Sequence, residues 1–341
     1  MRGEKRVFST LPQAKRRTNH IVTRQTLEKN QVFIYLAAIS SGLIMGLSAP
    51  GIGTIFEYTV WPVLGLLLYT TFTQVPLHHL RDAFVAPRLL IAASVGNFGV
   101  LPLVAWGLML LAPTDPAVRL GVLLVLLVPC TDWFITFTQL GGGDTKRAIA
   151  FAPISLVLQM LLLPVYVWMF YGEGLAVTLV HRNMLTAFVG VILMPLLAAS
   201  LTAKWAAGNN NRTSLLHRLG WLPVPLLAIV VFSIAVSQVS LVVGSVSLLS
   251  YLLVLFTLFL LLSSGIAKVF AILFRLPAEQ GRVLAFSFGT RNSFVLLPLV
   301  LALPAGYELA VVVIVFQSLV ELCGMAVYLW WVPQRLFRIP S

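Results

Sequence analysis

Ten apolar runs leave this chain almost no freedom in what it can fold into. They cover 31–49, 56–75, 89–112, 118–140, 148–171, 183–206, 220–240, 247–273, 281–304 and 308–332, and short polar joints separate them. A helix needs about 20 apolar residues to cross a bilayer and a barrel strand about 10, so runs of this length read as helices. Apolar residues make up 59% of the 341 and charged residues only 10%, where a soluble domain carries about 25% charged. The expected fold is an all-α polytopic membrane protein of ten transmembrane helices. One membrane domain fills 31–332, between a basic tail at 1–30 and a short tail at 333–341.

Charge sets the orientation. The net charge is +12, and residues 1–30 hold eight Lys or Arg against two acids. That tail lacks the apolar core of a secretory signal and reads as an orientation anchor able to bind anionic lipid. With an even number of spans both ends share a side, and taking that side as the cytoplasm puts 20 of the 23 Lys and Arg on inner segments. Positive-inside counting therefore predicts a multi-pass plasma-membrane protein with both termini cytoplasmic. The basic residues belong to joints on one face, so a nucleic-acid partner is not expected.

A repeat runs through the chain at a shift of 162 to 164 residues. Gln159 and Tyr166-Val167-Trp168 fall on Glu321 and Tyr328-Leu329-Trp330, and Thr73-Gln74-Val75 falls on Ser237-Gln238-Val239. Repeat one spans about 31–171 and repeat two about 183–332. Five spans per copy is odd, so the second copy enters the membrane from the opposite side, giving the inverted repeat found in many secondary transporters.

Span 4 is interrupted by Val128-Pro129-Cys130-Thr131-Asp132, and the shift sends this stretch onto Thr290-Arg291-Asn292-Ser293-Phe294 in span 9. Proline lacks a backbone donor, and an aspartate or arginine is costly in hydrocarbon, so both stretches predict broken helices lining a protected cavity. Broken helices at matching positions of two halves point to a transporter's binding site, and they are expected to cross there. The substrate-binding candidates are Cys130, Thr131, Asp132, Arg291, Asn292 and Ser293. Asp132 is either an N-cap of the second half-helix or a partner for Arg291, a proton or a solute. Arg291 forms a buried ion pair with Asp132 or Glu321, or holds a substrate anion. Cys130 is a small buried residue or, as a thiolate, a soft ligand. Glu321 is a coupling-proton site or a polar tie between helices. Gly96-Asn97-Phe98-Gly99 in span 3 reads as a close-packing patch, and Gly141-Gly142-Gly143-Asp144 as the turn after span 4. The sequence holds no nucleotide motif, His/Cys metal spacing or nucleophile-base pair, so no cofactor, metal or enzyme activity is expected.

The ten spans in two halves, Pro129-Cys130-Thr131 in span 4 and Asn292-Ser293 in span 9 resemble the bile acid:sodium symporter superfamily, and within it the arsenical-resistance permeases. The resemblance implies a panel domain moving against a core domain, with helices 4 and 9 crossed in the core. It implies a transport cysteine at Cys130. The glutamate that arsenite permeases carry in helix 9 is replaced here by Ser293, Phe294 and Val295. The helix 9 sodium ligands of the bile acid branch align with Ser287 and Arg291, and a cationic side chain there opposes sodium coupling. The expected function is export of arsenite or a related metalloid in exchange for protons at Asp132 or Glu321. The alternatives are a sodium-independent carrier of organic anions and a non-transporting membrane sensor or scaffold.

Overall fold

A computed structural model describes residues 24–74, 86–131, 133–179, 186, 188–207 and 209–339. Asp132 and the first 23 residues of the basic tail lie outside the described residues. Among the described residues the chain is helical, with one isolated extended bridge. In order the helices are α1 (Arg24–Ser48), α2 (Gly53–Phe72), α3 (Pro87–Leu111), α4 (Pro116–Leu127), α5 (Trp133–Leu140), α6 (Thr145–Leu179) and α7 (Met194–Ala206). Then come α8 (Asn210–Leu219), α9 (Pro223–Ser237), α10 (Val239–Gly244), α11 (Val246–Leu273), α12 (Ala278–Gly289), α13 (Ser293–Leu301) and α14 (Glu308–Trp331). Among the described residues, six helical stretches are individually long and apolar enough to cross a membrane: Gly53–Phe72, Pro87–Leu111, Thr145–Phe170, Val189–Ala206, Val246–Leu273 and Glu308–Leu336. Expected spans 4 and 9 are each split into two half-helices, α4/α5 and α12/α13.

Large apolar side chains such as Ile91, Leu161, Val254 and Leu273 are exposed on the outside of the bundle. In water such a surface would aggregate, and in a bilayer it faces acyl chains. Inside, helices α1, α2, α7 and α9 pack on one another, and the rest gather around the two split spans. Gly42 and Gly46, one turn apart on α1, make the first group's main seam. A Cβ on either would come within 2.6–2.8 Å of the Phe232 or Val236 carbonyl of α9. Close backbone approach through small residues is how membrane helices associate without a hydrophobic drive between them.

The inverted repeat shows in the bonding, residue for residue. In α3 a wide π-helical turn at Gly96–Val100 leaves the Phe98 carbonyl to the Tyr166 hydroxyl of α6. In the second copy the Tyr328 hydroxyl of α14 donates to the Leu260 carbonyl of α11. Both donors and both acceptors are related by a shift of 162.

One end of the second group is clasped by the C-terminal segment. Arg282, buried at the start of α12, donates to the carbonyls of Phe337 (3.0 Å), Pro333 (3.4 Å) and Gly142 (2.9 Å). Lys268 of α11 donates to the Leu336 carbonyl at 2.7 Å and lies over the Phe337 ring. Gly142 turns the chain between α5 and α6 at φ 65, a conformation that glycine adopts without strain.

Candidate functional site

Two half-helices end facing each other at the centre of the second group. α4 starts on a cap, with Asp115 Oδ1 accepting from the amides of Ala117 and Val118 at 2.8 and 3.1 Å. It stops because Pro129 forces Val128 out of helical geometry, to φ −102 and ψ 107. In the second copy Thr290 is extended at φ −103 and ψ 138 and ends α12. The freed backbone groups satisfy one another across the gap. The Cys130 amide donates to the Thr290 carbonyl at 3.2 Å, and the Asn292 amide to the Val128 carbonyl at 2.8 Å. Pro129 and Arg291 form the antiparallel pair between these bonds. A shift of 162 exchanges the two bonds, so the pseudo-two-fold axis of the repeat passes through this pair. The two breaks expected to cross do cross, in the register the repeat prescribes.

The guanidinium of Arg291 reaches back to that axis, onto two carbonyls that the repeat relates. The Arg291 side chain is among the largest fully buried ones. Nη1 donates to the Leu126 carbonyl at 3.3 Å and Nη2 to the Phe288 carbonyl at 2.6 Å. These carbonyls belong to the last turns of α4 and α12 and are repeat equivalents. Nη2 also donates to Asn97 Oδ1 at 3.3 Å, and the guanidinium lies 5.1 Å from the centre of the Phe259 ring. Asn97 and Phe259 are again equivalents, on α3 and α11. One forked cation thus serves two helix C-termini whose dipole ends are both negative.

A polar ladder continues from the same residue. The Arg291 amide donates to Glu321 Oε2 at 2.8 Å, Gln317 Nε2 donates to the same oxygen at 2.8 Å, and Ser293 Oγ donates to Gln317 Oε1 at 2.7 Å. Glu321 is therefore bonded directly to the crossing. In the first copy the equivalent positions are Pro129, Thr131, Ser155 and Gln159.

The first residues of α5 and α13 meet the first helix group. Tyr35, Thr71, Trp133, Pro223, Asn292 and Phe294 line a cavity of about 20 Å³ there. Trp133 stacks on Tyr35 at 6.2 Å and meets Phe294 edge-on at 5.4 Å. A second cavity of about 60 Å³ between α1, α9 and α14 is wholly apolar in its lining residues, among them Leu43, Ile234 and Phe316.

The candidates sort as follows. Cys130, Thr131, Arg291, Asn292 and Ser293 all gather at the crossing and are buried, and Glu321 joins them. Of these, Asn292 alone lines the smaller cavity. Asn97, expected to be part of a packing patch, is a member of the site. It binds Arg291, donates to Ser287 Oγ at 2.9 Å, and follows Gly96, where a Cβ would enter the Phe288 ring. The packing expectation and the polar role hold together. A mid-span amide in an apolar run was the available signal. Ser155 and Gln317 lie one turn before Gln159 and Glu321 at the same shift, so the repeat itself pointed to them.

The sequence profile described as the Sodium Bile acid symporter family matches residues 61–272, more than half of the chain. The match includes Pro129, Cys130 and Thr131 and ends before Arg291, so the second half of the crossing rests on the geometry above. A curated relative, the uncharacterized sodium-dependent transporter YocS of Bacillus subtilis (strain 168), is 23% identical over 155 residues, which are 46% of this chain and 48% of YocS. The chain thus matches about half the length of that relative.

Proposed function

The chain belongs to the sodium bile acid symporter family, and from that premise we propose that this membrane transporter exports arsenite or a related metalloid in exchange for protons. The observation that carries the reading is Cys130, a thiol buried at the one point where both repeats break. Trivalent arsenic is carried at neutral pH as a neutral trihydroxide and prefers sulfur ligands. One thiol displaces one hydroxyl: the S–H proton leaves with the hydroxide as water, and an S–As bond forms. A single such bond holds the solute without the closed three-sulfur chelation that would prevent release.

In this reading α1, α2, α7 and α9 form the panel, and the helices around the crossing form the core. Alternating access is the movement of one against the other, with ten crossings and both termini in the cytoplasm. The guanidinium of Arg291 already occupies the two half-helix C-termini, where mobile sodium would otherwise find its oxygen ligands. Coupling therefore falls to protons, with Glu321 as the carrier among the described residues and Asp132 as a second candidate. Protonating Glu321 changes the charge one hydrogen bond from the crossing.

The test is arsenite uptake by everted vesicles in sodium-free medium. Wild-type protein should accumulate arsenite when an acid-inside gradient is imposed, and Cys130→Ser should abolish it. Unchanged uptake in Cys130→Ser removes the basis for a metalloid substrate.

One set of observations favours a second reading, transport of an organic anion. The N-termini of α5 and α13 meet an aromatic-lined cavity, and helix N-termini attract anions. Sodium-independent uptake of a labelled bile acid that survives Cys130→Ser would select it.

A further inference from the structure

The two copies of the repeat differ in how their buried polar groups are paired. In the second copy Ser293, Gln317 and Glu321 bond to one another and to the Arg291 amide. The equivalent residues of the first copy are Thr131, Ser155 and Gln159. All three are buried to within 2% of full exclusion. Yet Thr131 Oγ1, Ser155 Oγ and both Gln159 amide atoms have no hydrogen-bond partner among the described residues.

The sequence explains why the first copy stays open. Pro129 stands where Arg291 supplies an amide, so Gln159 has no backbone donor to accept. Ser155 stands where Gln317 reaches both neighbours, and a serine is too short to do so. The helices themselves are held in register, because Phe134 of α5 packs edge-on against Phe151 of α6 one turn away. The unused groups are therefore not the result of helices splayed apart. A buried polar atom left unpaired costs about 1–3 kcal/mol, so a set of four is unusual in a native core unless something else binds there.

We propose that Thr131, Ser155 and Gln159 form a subsite for a small neutral solute bearing several hydroxyl groups, beginning one residue after Cys130 in the broken span. This rests on the metalloid reading above and specifies the form in which the solute is held. The donor set selects the class. Gln159 presents an oxygen acceptor and an N–H donor, and Thr131 and Ser155 each give and accept. A metal cation would satisfy the oxygens and leave the Nε2 donor unmet. An anion would leave Oε1 unmet. Hydroxyls satisfy both, and arsenous acid offers three of them around one atom. The division of labour follows: the hydroxyl subsite recognises the neutral trihydroxide, and the thiol recognises the metalloid.

The test uses the full-length protein in sodium-free proteoliposomes, with arsenite as the transported probe and boric acid as a competitor. Boric acid is a neutral trihydroxide with no affinity for thiols. Losing one or two hydrogen bonds to solute should raise the KM for arsenite about tenfold in Thr131→Val and Gln159→Leu. Boric acid should inhibit wild-type arsenite uptake competitively, bind Cys130→Ser as it binds wild type, and lose its effect in Gln159→Leu. Equilibrium binding of boron-11-labelled boric acid, followed by NMR line broadening, reads this last point in variants that do not transport. Gln159→Leu removes unpaired polar atoms, so it should fold at least as well as wild type, and its thermal unfolding checks this. Unchanged KM and no boric acid effect, with Cys130→Ser inactive, overturns the subsite and leaves the metalloid reading standing. Boric acid binding that depends on Gln159, with arsenite never transported, overturns the metalloid reading and leaves the subsite. Binding of sodium that Gln159→Leu abolishes shows a cation site and overturns the proposal, as does a signal explained by ordered water alone.

Discussion

Replacing Arg291 by methionine tests whether the crossing is held together by a charge on its axis. Methionine keeps much of the side-chain length and removes the guanidinium. The loss includes three hydrogen bonds, to Leu126 O, Phe288 O and Asn97 Oδ1, each worth about 1.5–3 kcal/mol for a charged donor. It also includes the attraction to two helix C-termini, at about 0.3–2 kcal/mol each. Relief from burying the cation offsets several kcal/mol of this, so the net loss should be about 3–5 kcal/mol, the cost of three buried acceptors left unpaired at about 1–3 kcal/mol each. Arg291→Lys keeps the charge near both dipoles but cannot reach both carbonyls with a planar fork, and should lose about 1–3 kcal/mol. The assay is unfolding of the purified protein in mixed micelles by titration with SDS, in sodium chloride and again in choline chloride. Stability should fall from wild type to lysine to methionine. Sodium should stabilise only the methionine variant, because its vacated carbonyls can then accept a mobile cation. A methionine variant within about 1 kcal/mol of wild type, or one indifferent to sodium, refutes the axial-charge argument.

Further outcomes follow from other contacts. Glu321→Gln keeps the oxygen that accepts from the Arg291 amide but cannot carry a proton, so arsenite export should persist downhill and stop responding to an imposed pH gradient. Gly96→Ala drives a Cβ into the Phe288 ring and should cost about 1–3 kcal/mol of stability by overpacking, read by the same SDS titration, with Phe288→Leu restoring part of it. Truncation after Trp331 removes the Leu336 carbonyl from Lys268 and the Pro333 and Phe337 carbonyls from Arg282, which keeps its bond to Gly142. Hydrogen exchange should then rise in α12 and in the turn around Gly142 while α1 and α9 stay unchanged. Tyr166→Phe and Tyr328→Phe remove equivalent hydroxyl bonds and should each lose about 0.5–1.5 kcal/mol.

Much of this architecture was legible because the bilayer is a simple solvent. Apolar runs of span length have few alternatives in hydrocarbon, so helices followed from composition alone. The crossing was legible because Pro129 and the Gly289-to-Ser293 stretch cannot continue a helix at mid-span, and because the repeat ties one break to the other. The shift that aligned Tyr166 with Tyr328 also sent Pro129 onto Arg291, and in the structure the bridge joins those two residues.

What the sequence could not decide was the partner of each polar group. Asn97, one amide in an apolar span, reads as part of a packing patch, and its bond to a residue 194 positions away exists only once the helices are placed. Arg291 could equally have paired with an acid or a substrate. Tertiary structure turns its fork toward two carbonyls because the antiparallel pair brings the C-termini of α4 and α12 to one point. The same holds for the difference between the two copies. Sequence equates Ser155 with Gln317 and Gln159 with Glu321, but whether each set is bonded depends on side-chain reach across a packed interface. Solvent and repeat determined the helices and their breaks; side-chain length and the position of the two-fold axis decided which polar groups are satisfied within the protein and which remain open to a solute.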